Sequence, residues 1–158
     1  MKPSASSLRL LLVGHLLLLA LPRAALAEAH ACTLLQPADV TPLFARPVVG
    51  KANGGACAWS VEGSPRKLII ARMKGTGASA EMAYAGARKN VGMDPTAKVT
   101  DEQGIGDKAF SVQTSYGVSL IASKGGRLLN MMFMANAPGT EKDVAAMRQV
   151  ARKAVAAL

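Results

Sequence analysis

Two apolar runs of strand length, Val118–Ser123 and Leu128–Met134, predict a buried β-hairpin. They are joined by Lys124-Gly125-Gly126-Arg127. A Gly-Gly pair suits a two-residue hairpin turn, because glycine adopts positive φ without steric cost. The second run lacks polar alternation, so we expect both of its faces to be covered. The hairpin is therefore predicted to be the core of the fold rather than a site.

A brief helix and a loop are predicted near the start of the domain. Pro37 suits the first position of a helix, and Pro42 limits its length because proline removes a backbone donor. The helix should therefore end near Ala45. The prolines and glycines of residues 46–55 predict a loop.

Two strands are predicted next. In Ala56–Glu62 the side chains of Cys57, Trp59 and Val61 alternate with small or polar ones, which is the pattern of a half-buried strand. Lys67–Met73 has an aliphatic centre and charged ends, and it is predicted to be the second strand.

Two longer helices are predicted from a 3.6-residue periodicity. Ser79–Asn90 forms the first and should end at Gly92. The second begins after Thr140, which is a good N-cap. Its apolar stripe contains Val144, Met147, Ala151, Ala154, Val155 and Leu158.

Between these helices, Thr96–Glu102 is predicted to be an edge strand and Lys108–Gln113 an inner strand, with Phe110 and Val112 on its buried face. Gly104-Ile105-Gly106-Asp107 joins them. This segment lacks the third glycine of a dinucleotide loop and the Gly-Lys-Ser/Thr of a phosphate loop. We interpret it as a tight turn.

The order of helix, strands, helix, strands and helix predicts an α+β fold in which helices cover an antiparallel sheet. Residues 28–158 are enough for one globular domain with its own core.

Residues 1–27 have the three parts of a secretory signal peptide. A basic start with Lys2 and Arg9 precedes an apolar run over residues 10–21, and Ala25-Leu26-Ala27 supplies the small residues of a cleavage site. We predict cleavage between Ala27 and Glu28, and hence a periplasmic or secreted protein. No transmembrane anchor is expected after cleavage, since the run is shorter than the roughly 20 residues of a membrane span. A lipoprotein attached through Cys32 is the other hypothesis, although Ala29-His30-Ala31 lacks the usual leucine of a lipobox.

The net charge of the exported chain is positive. Without the three basic residues of the leader, 16 basic residues stand against 10 acidic ones, a net charge of +6. Such a charge favours an anionic ligand or an acidic envelope partner, or it serves only as a solvated basic surface. Nucleic acid is not expected as a partner, because the compartment is wrong and no basic stripe interleaves with exposed aromatics.

Cys32 and Cys57 are the only cysteines. In an exported chain such a pair predicts a disulfide bond. A metal site would need further ligands, and His30 is the only histidine outside the leader, so neither a metal nor another cofactor is expected. A serine–histidine–aspartate triad is not expected either.

Three segments carry a family resemblance. Cys-Thr-Leu-Leu-Gln-Pro-Ala-Asp-Val from Cys32, Gly-Ala-Cys-Ala-Trp-Ser from Gly55 and Gly-Ile-Gly-Asp-Lys-Ala-Phe from Gly104 are similar to a family of small exported bacterial proteins of unknown function. Many of its members are lipoproteins. The resemblance implies an α/β sandwich of the PsbP-like fold and provides no catalytic residues to carry over.

Our first functional hypothesis is a non-enzymatic binding or interaction module of the bacterial cell envelope. If the ligand is anionic, the residues expected to bind it are Arg72 and Lys74 at the end of a strand, with Arg88 and Lys89 at the end of the next helix. A solvated basic face is the alternative interpretation of these four residues.

Two other functions are considered. The chain could be an inhibitor or immunity-type protein that occupies the site of an envelope partner. It could also be a hydrolase of envelope polymers, and Asp101, Glu102 and Asp107 are the acidic cluster such an enzyme would use.

Overall fold

The computed structural model describes residues 31–73 and 77–158, without the side chains of Arg72 and Met73. The predicted signal peptide of residues 1–27, its cleavage site before Glu28, and His30 lie outside the described residues.

Seven strands form one antiparallel sheet in the order β1-β2-β3-β7-β6-β5-β4. Consecutive strands pair within β1–β3 and within β4–β7, and the pairing of β3 with β7 joins these two meanders. The strands are β1 Val49–Asn53, β2 Ala56–Ser60, β3 Lys67–Met73, β4 Lys98–Glu102, β5 Lys108–Thr114, β6 Gly117–Lys124 and β7 Arg127–Met134.

Helices cover the sheet from both sides. The described helices are a 3-10 turn at Ala31–Thr33, α1 Pro37–Phe44, α2 Ala78–Val91 and α3 Glu141–Ala156. On one side, called here the α3 face, the 3-10 turn, α1 and α3 bury the larger core cluster. On the other side, the α2 face, α2 buries a smaller cluster. The predicted α+β fold with an antiparallel sheet is confirmed.

The predicted ends of the helices agree with their capping. Pro37 begins α1, and Ala45 follows its last residue. Gly92 is the C-cap of α2. The Thr140 hydroxyl accepts a hydrogen bond from the backbone N–H of Asp143, and the Asp143 carboxylate accepts one from the backbone N–H of Thr140. This reciprocal box satisfies two backbone donors at the start of α3.

The predicted disulfide is present. Cys32 and Cys57 are bonded, and their Cα atoms are 4.9 Å apart. Cys32 belongs to the 3-10 turn and Cys57 to β2, so the bond ties the start of the described domain to the sheet. Trp59, two residues along β2, is buried on the same face.

The predicted loop over residues 46–55 was wrong, because residues 49–53 form β1. Gly54 and Gly55 make the two-residue turn to β2, and Gly54 has a φ of 57°. The ring of Trp59 lies over Gly50, where a Cβ atom would come within 2.9 Å of it. The segment has little strand propensity of its own, and it is stabilised as a strand by its pairing with β2 and by the contact between Trp59 and Gly50.

The expectation that both faces of β7 are covered was wrong for its second half. Leu129, Met131 and Phe133 are buried on the α3 face, and Leu128 is buried under α2. Met132 is 41% exposed, because α2 does not reach it. The uncovered area lies on the α2 face.

Candidate binding surface

Of the four basic residues predicted to bind an anion, only Arg88 and Lys89 have side chains among the described residues. The guanidinium of Arg88 is 2.9 Å from the Asp101 carboxylate and lies over the ring of Phe110, with Cζ 5.2 Å from its centroid. Lys89 is exposed. Lys74 and the side chain of Arg72 lie outside the described residues. Arg88 thus has an anionic partner within the protein itself.

The three carboxylates of the hydrolase hypothesis do not converge. Asp101 and Glu102 are consecutive in β4, so their side chains lie on opposite faces of the sheet. Asp101 pairs with Arg88 on the α2 face, whereas Glu102 is buried on the α3 face. Asp107 accepts a hydrogen bond of 2.7 Å from the backbone N–H of Gly125 in the β6–β7 turn.

Most acidic side chains form ion pairs or hydrogen bonds within the fold. Six of the nine acidic residues in the described ranges are in ion pairs. Asp94 and Asp107 accept hydrogen bonds within turns, and Glu62 lies in the turn after β2. Side-chain hydrogen bonds from a lysine or a threonine lower the pKa of three carboxyl groups, those of Asp39, Asp94 and Glu141. These three groups are thereby kept ionised, which suits ion pairing and not proton donation.

A depression of about 300 Å³ lies between the β4–β5 turn and the end of α3. Its ammonium group, that of Lys124, donates to the carbonyl oxygens of Val155 (3.0 Å) and Ala156 (3.3 Å) at the C-terminus of the helix. The carboxylate of Asp107 is held by Gly125. We interpret this depression as a structural contact between the β4–β5 turn and the end of α3. Its lining residues are Gly104, Gly106, Asp107, Lys124, Arg152, Val155 and Ala156.

An apolar area of the sheet lies on the α2 face, beside α2. This helix packs against β6 and β7, and none of the described helices packs mainly on β1, β2 or β3 from this side. We call this area the open face. Its apolar side chains are Ala56 and Ala58 of β2, Ile69 and Ala71 of β3, and Met132 and Met134 of β7.

Strand register places these side chains in adjacent rows. Ala58 is opposite Ile69, and Ile69 is opposite Met132, so the three form a continuous row across the sheet. Lys51 of β1 continues this row at its outer end. Lys67, the first residue of β3, lies in the neighbouring row between Ser60 and Met134.

The open face combines small apolar side chains with a basic rim. Lys51 and Lys67 are exposed and have no ion-pair partner in the described part of the chain. Val49, on the same side of the edge strand β1, is 58% exposed. Exposed apolar patches with a polar rim mark interaction sites when they are large and contiguous.

Sequence reasoning missed this surface, although part of its signal was visible. Alternation in β2 separates Ala58 and Ser60 from buried Cys57 and Trp59, which indicates a small-residue outer face. That this face continues into Ile69 and Met132 depends on the pairing of β3 with β7, which no local pattern indicates.

No protein-family model, curated protein or solved structure matches this chain. Among the described residues, none of the helices has the length and apolar character needed to cross a membrane. The same ranges hold no group of three or more histidine, cysteine or carboxylate side chains arranged to bind a metal ion.

Proposed function

We propose that this protein is an exported, non-enzymatic binding module that holds a partner protein of the bacterial cell envelope on its open face. The observation that carries the proposal is the row of half-buried Ala58 and Ile69 and exposed Met132, which lies beside α2 and not under it. Met132, on the central strand β7, is 41% exposed. A partner that covered this row would remove apolar surface from water, which is the main favourable term in most protein association.

Export is part of the proposal. It is supported by the three-part pattern of residues 1–27 and by the disulfide between Cys32 and Cys57, since such bonds persist in oxidising compartments. The family resemblance of the segment from Cys32 belongs to the same proposal and points to the same compartment.

A non-enzymatic role is supported by the interactions that the acidic side chains already make within the fold. Asp101, Glu102 and Asp107 each hold a separate part of the fold. We therefore expect Asp107→Asn to alter stability only. Turnover of an envelope polymer by the wild-type protein, lost in this variant, would contradict the proposal.

Site-specific photocrosslinking in the native envelope tests the binding role. A photoreactive amino acid replaces Met132 in one variant and Met82 in a control, because Met82 is 71% exposed on α2. We expect one dominant protein to be crosslinked from position 132 and not from position 82. The absence of a protein crosslink from position 132, or equal capture from both positions, would overturn the proposal.

A further inference from the structure

We infer that the occupant of the open face is an amphipathic helix of the partner protein, with acidic residues beside its apolar stripe. This inference rests on the proposed function and adds the class of segment that binds. It follows from the width of the open face, the size of its side chains and the charge of its rim.

The open face is as wide as one helix. It spans the neighbouring strands β1, β2, β3 and β7. Strands in a sheet lie about 4.8 Å apart, so these four extend over about 14 Å. A helix with its side chains is about 10–12 Å in diameter. Since α2 already packs on β6 and β7 from the same side, a second helix beside it would complete the layer.

The side chains of the open face suit a closely packed helix. Ala56, Ala58 and Ala71 are small, so a helix can approach the sheet over β2 and β3. Ile69 and Met132, in the central row, are larger than these alanines and would pack between the side chains of the helix. Methionine adapts to irregular apolar surfaces because it is unbranched and flexible.

The positive charge of Lys51 and Lys67 favours an acidic occupant. Lys51 and Lys67 are unpaired among the described residues, and no acidic residue is directed to this face by β1, β2, β3 or β7. A second copy of the chain would bring lysines against lysines, which disfavours self-association through this surface. A helix with glutamate or aspartate beside its apolar stripe would pair with both lysines, and this gives orientation as well as affinity.

Two charge-reversal variants test the inference, each combined with the photocrosslinker at position 132. Lys51→Glu/Lys67→Glu changes the rim. Lys142→Glu/Arg152→Glu makes the same change of charge on α3, at exposed residues without ion pairs in the described ranges. We expect the rim variant to reduce the crosslink about tenfold and the control variant to leave it within about twofold. Thermal unfolding of both variants confirms that each is folded.

Sequencing of the crosslinked peptide gives the second result. We expect a segment of apolar residues at helical spacing, with acidic residues within one turn of them. A basic or strand-like segment, or a crosslink unaffected by Lys51→Glu/Lys67→Glu, would overturn the inference while the binding role stands. Loss of the protein crosslink from position 132 in the otherwise wild-type chain would overturn the binding role itself.

A membrane surface is the remaining occupant that the same charges could attract. Flotation with vesicles of zwitterionic lipid, with and without an anionic phosphatidylglycerol fraction, tests it with the purified protein. We expect no flotation with either vesicle. Flotation with the anionic vesicles that is lost in Lys51→Glu/Lys67→Glu would assign the open face to lipid and overturn the inference.

Discussion

The guanidinium of Arg148 donates from Nε to Oε2 of Glu102 at 2.6 Å. The other carboxylate oxygen of Glu102 accepts a hydrogen bond of 2.6 Å from the hydroxyl of Ser111. Glu102 is only 8% exposed, so its charge needs both partners. Since Glu102 belongs to β4 and Arg148 to α3, the pair fastens an edge strand to the helix that covers the sheet.

We predict that Arg148→Met lowers the free energy of unfolding by about 2 kcal/mol, because it leaves a buried carboxylate with one neutral partner. Urea unfolding measures the change. The matched control is Arg152→Met on the same helix, where the side chain is exposed and the change should stay within about 0.5 kcal/mol. Adding Glu102→Gln to Arg148→Met should restore part of the loss. An undiminished loss in the double variant would contradict this account of the pair.

The disulfide is predicted to contribute about 3 kcal/mol to stability. Cys32 and Cys57 are separated by 25 residues in the sequence. Closing a loop of this size lowers the conformational entropy of the unfolded chain, which raises the free energy of unfolding by about 3 kcal/mol. We expect Cys32→Ser/Cys57→Ser to lower the midpoint of thermal unfolding by about 10 °C. Calorimetry of the oxidised protein and of the double variant measures the difference. Equal midpoints would show that the bond does not stabilise the fold.

The β4–β5 turn is predicted to need glycine at position 106 far more than at position 104. Both have positive φ, of 64° and 70°. A methyl group on Gly106 would overlap the carbonyl oxygen of Ser123, whereas one on Gly104 would meet open space. We expect Gly104→Ala to cost about 1–2 kcal/mol from the backbone conformation, and Gly106→Ala at least about 2 kcal/mol more. Chemical denaturation of the two variants tests this difference, and equal losses would contradict it.

Acid is predicted to weaken the contact between α1 and α3. Hydrogen bonds from Lys153 and from the backbone N–H of Gln36 lower the pKa of Asp39 from its ordinary value of 3.8. A carboxyl group whose pKa is lower in the folded state stabilises the protein above its unfolded value, and this stabilisation is lost as the pH falls through the folded value. We therefore expect the free energy of unfolding to decrease below about pH 4, and less steeply in Asp39→Asn. Parallel pH profiles for the two proteins would contradict this role for Asp39.

Local chemistry predicted one Gly-Gly hairpin and missed the other. Gly125-Gly126 and Gly54-Gly55 both close two-residue turns, but only the first lies between two strongly apolar runs. The strand before Gly54 contains a single large apolar residue, Val49, so its composition is typical of a loop. It is a strand because β2 pairs with it and Trp59 packs on Gly50. Periodicity along the chain carries no information on such contacts.

The open face could not be predicted from local patterns, because it is formed by strands that are far apart in the sequence. Helical periodicity and capping predicted α2 and α3 well, because both signals are local. Which strands α2 would leave uncovered depends on the order of the sheet, and the pairing of β3 with β7 joins residues that are far apart in the chain. The predicted role of Arg88 did not take account of Asp101, which becomes its neighbour only when β4 takes the edge of the sheet.

Oxidative footprinting of methionines is the most direct test of the open face as a binding surface. Brief oxidation of the native envelope and of the purified protein is compared by the formation of methionine sulfoxide at Met132 and Met82, which are 41% and 71% exposed. We predict slower oxidation of Met132 in the envelope than in the purified protein, with Met82 unchanged. Equal oxidation of Met132 in the two samples would contradict the proposal that a partner covers this face.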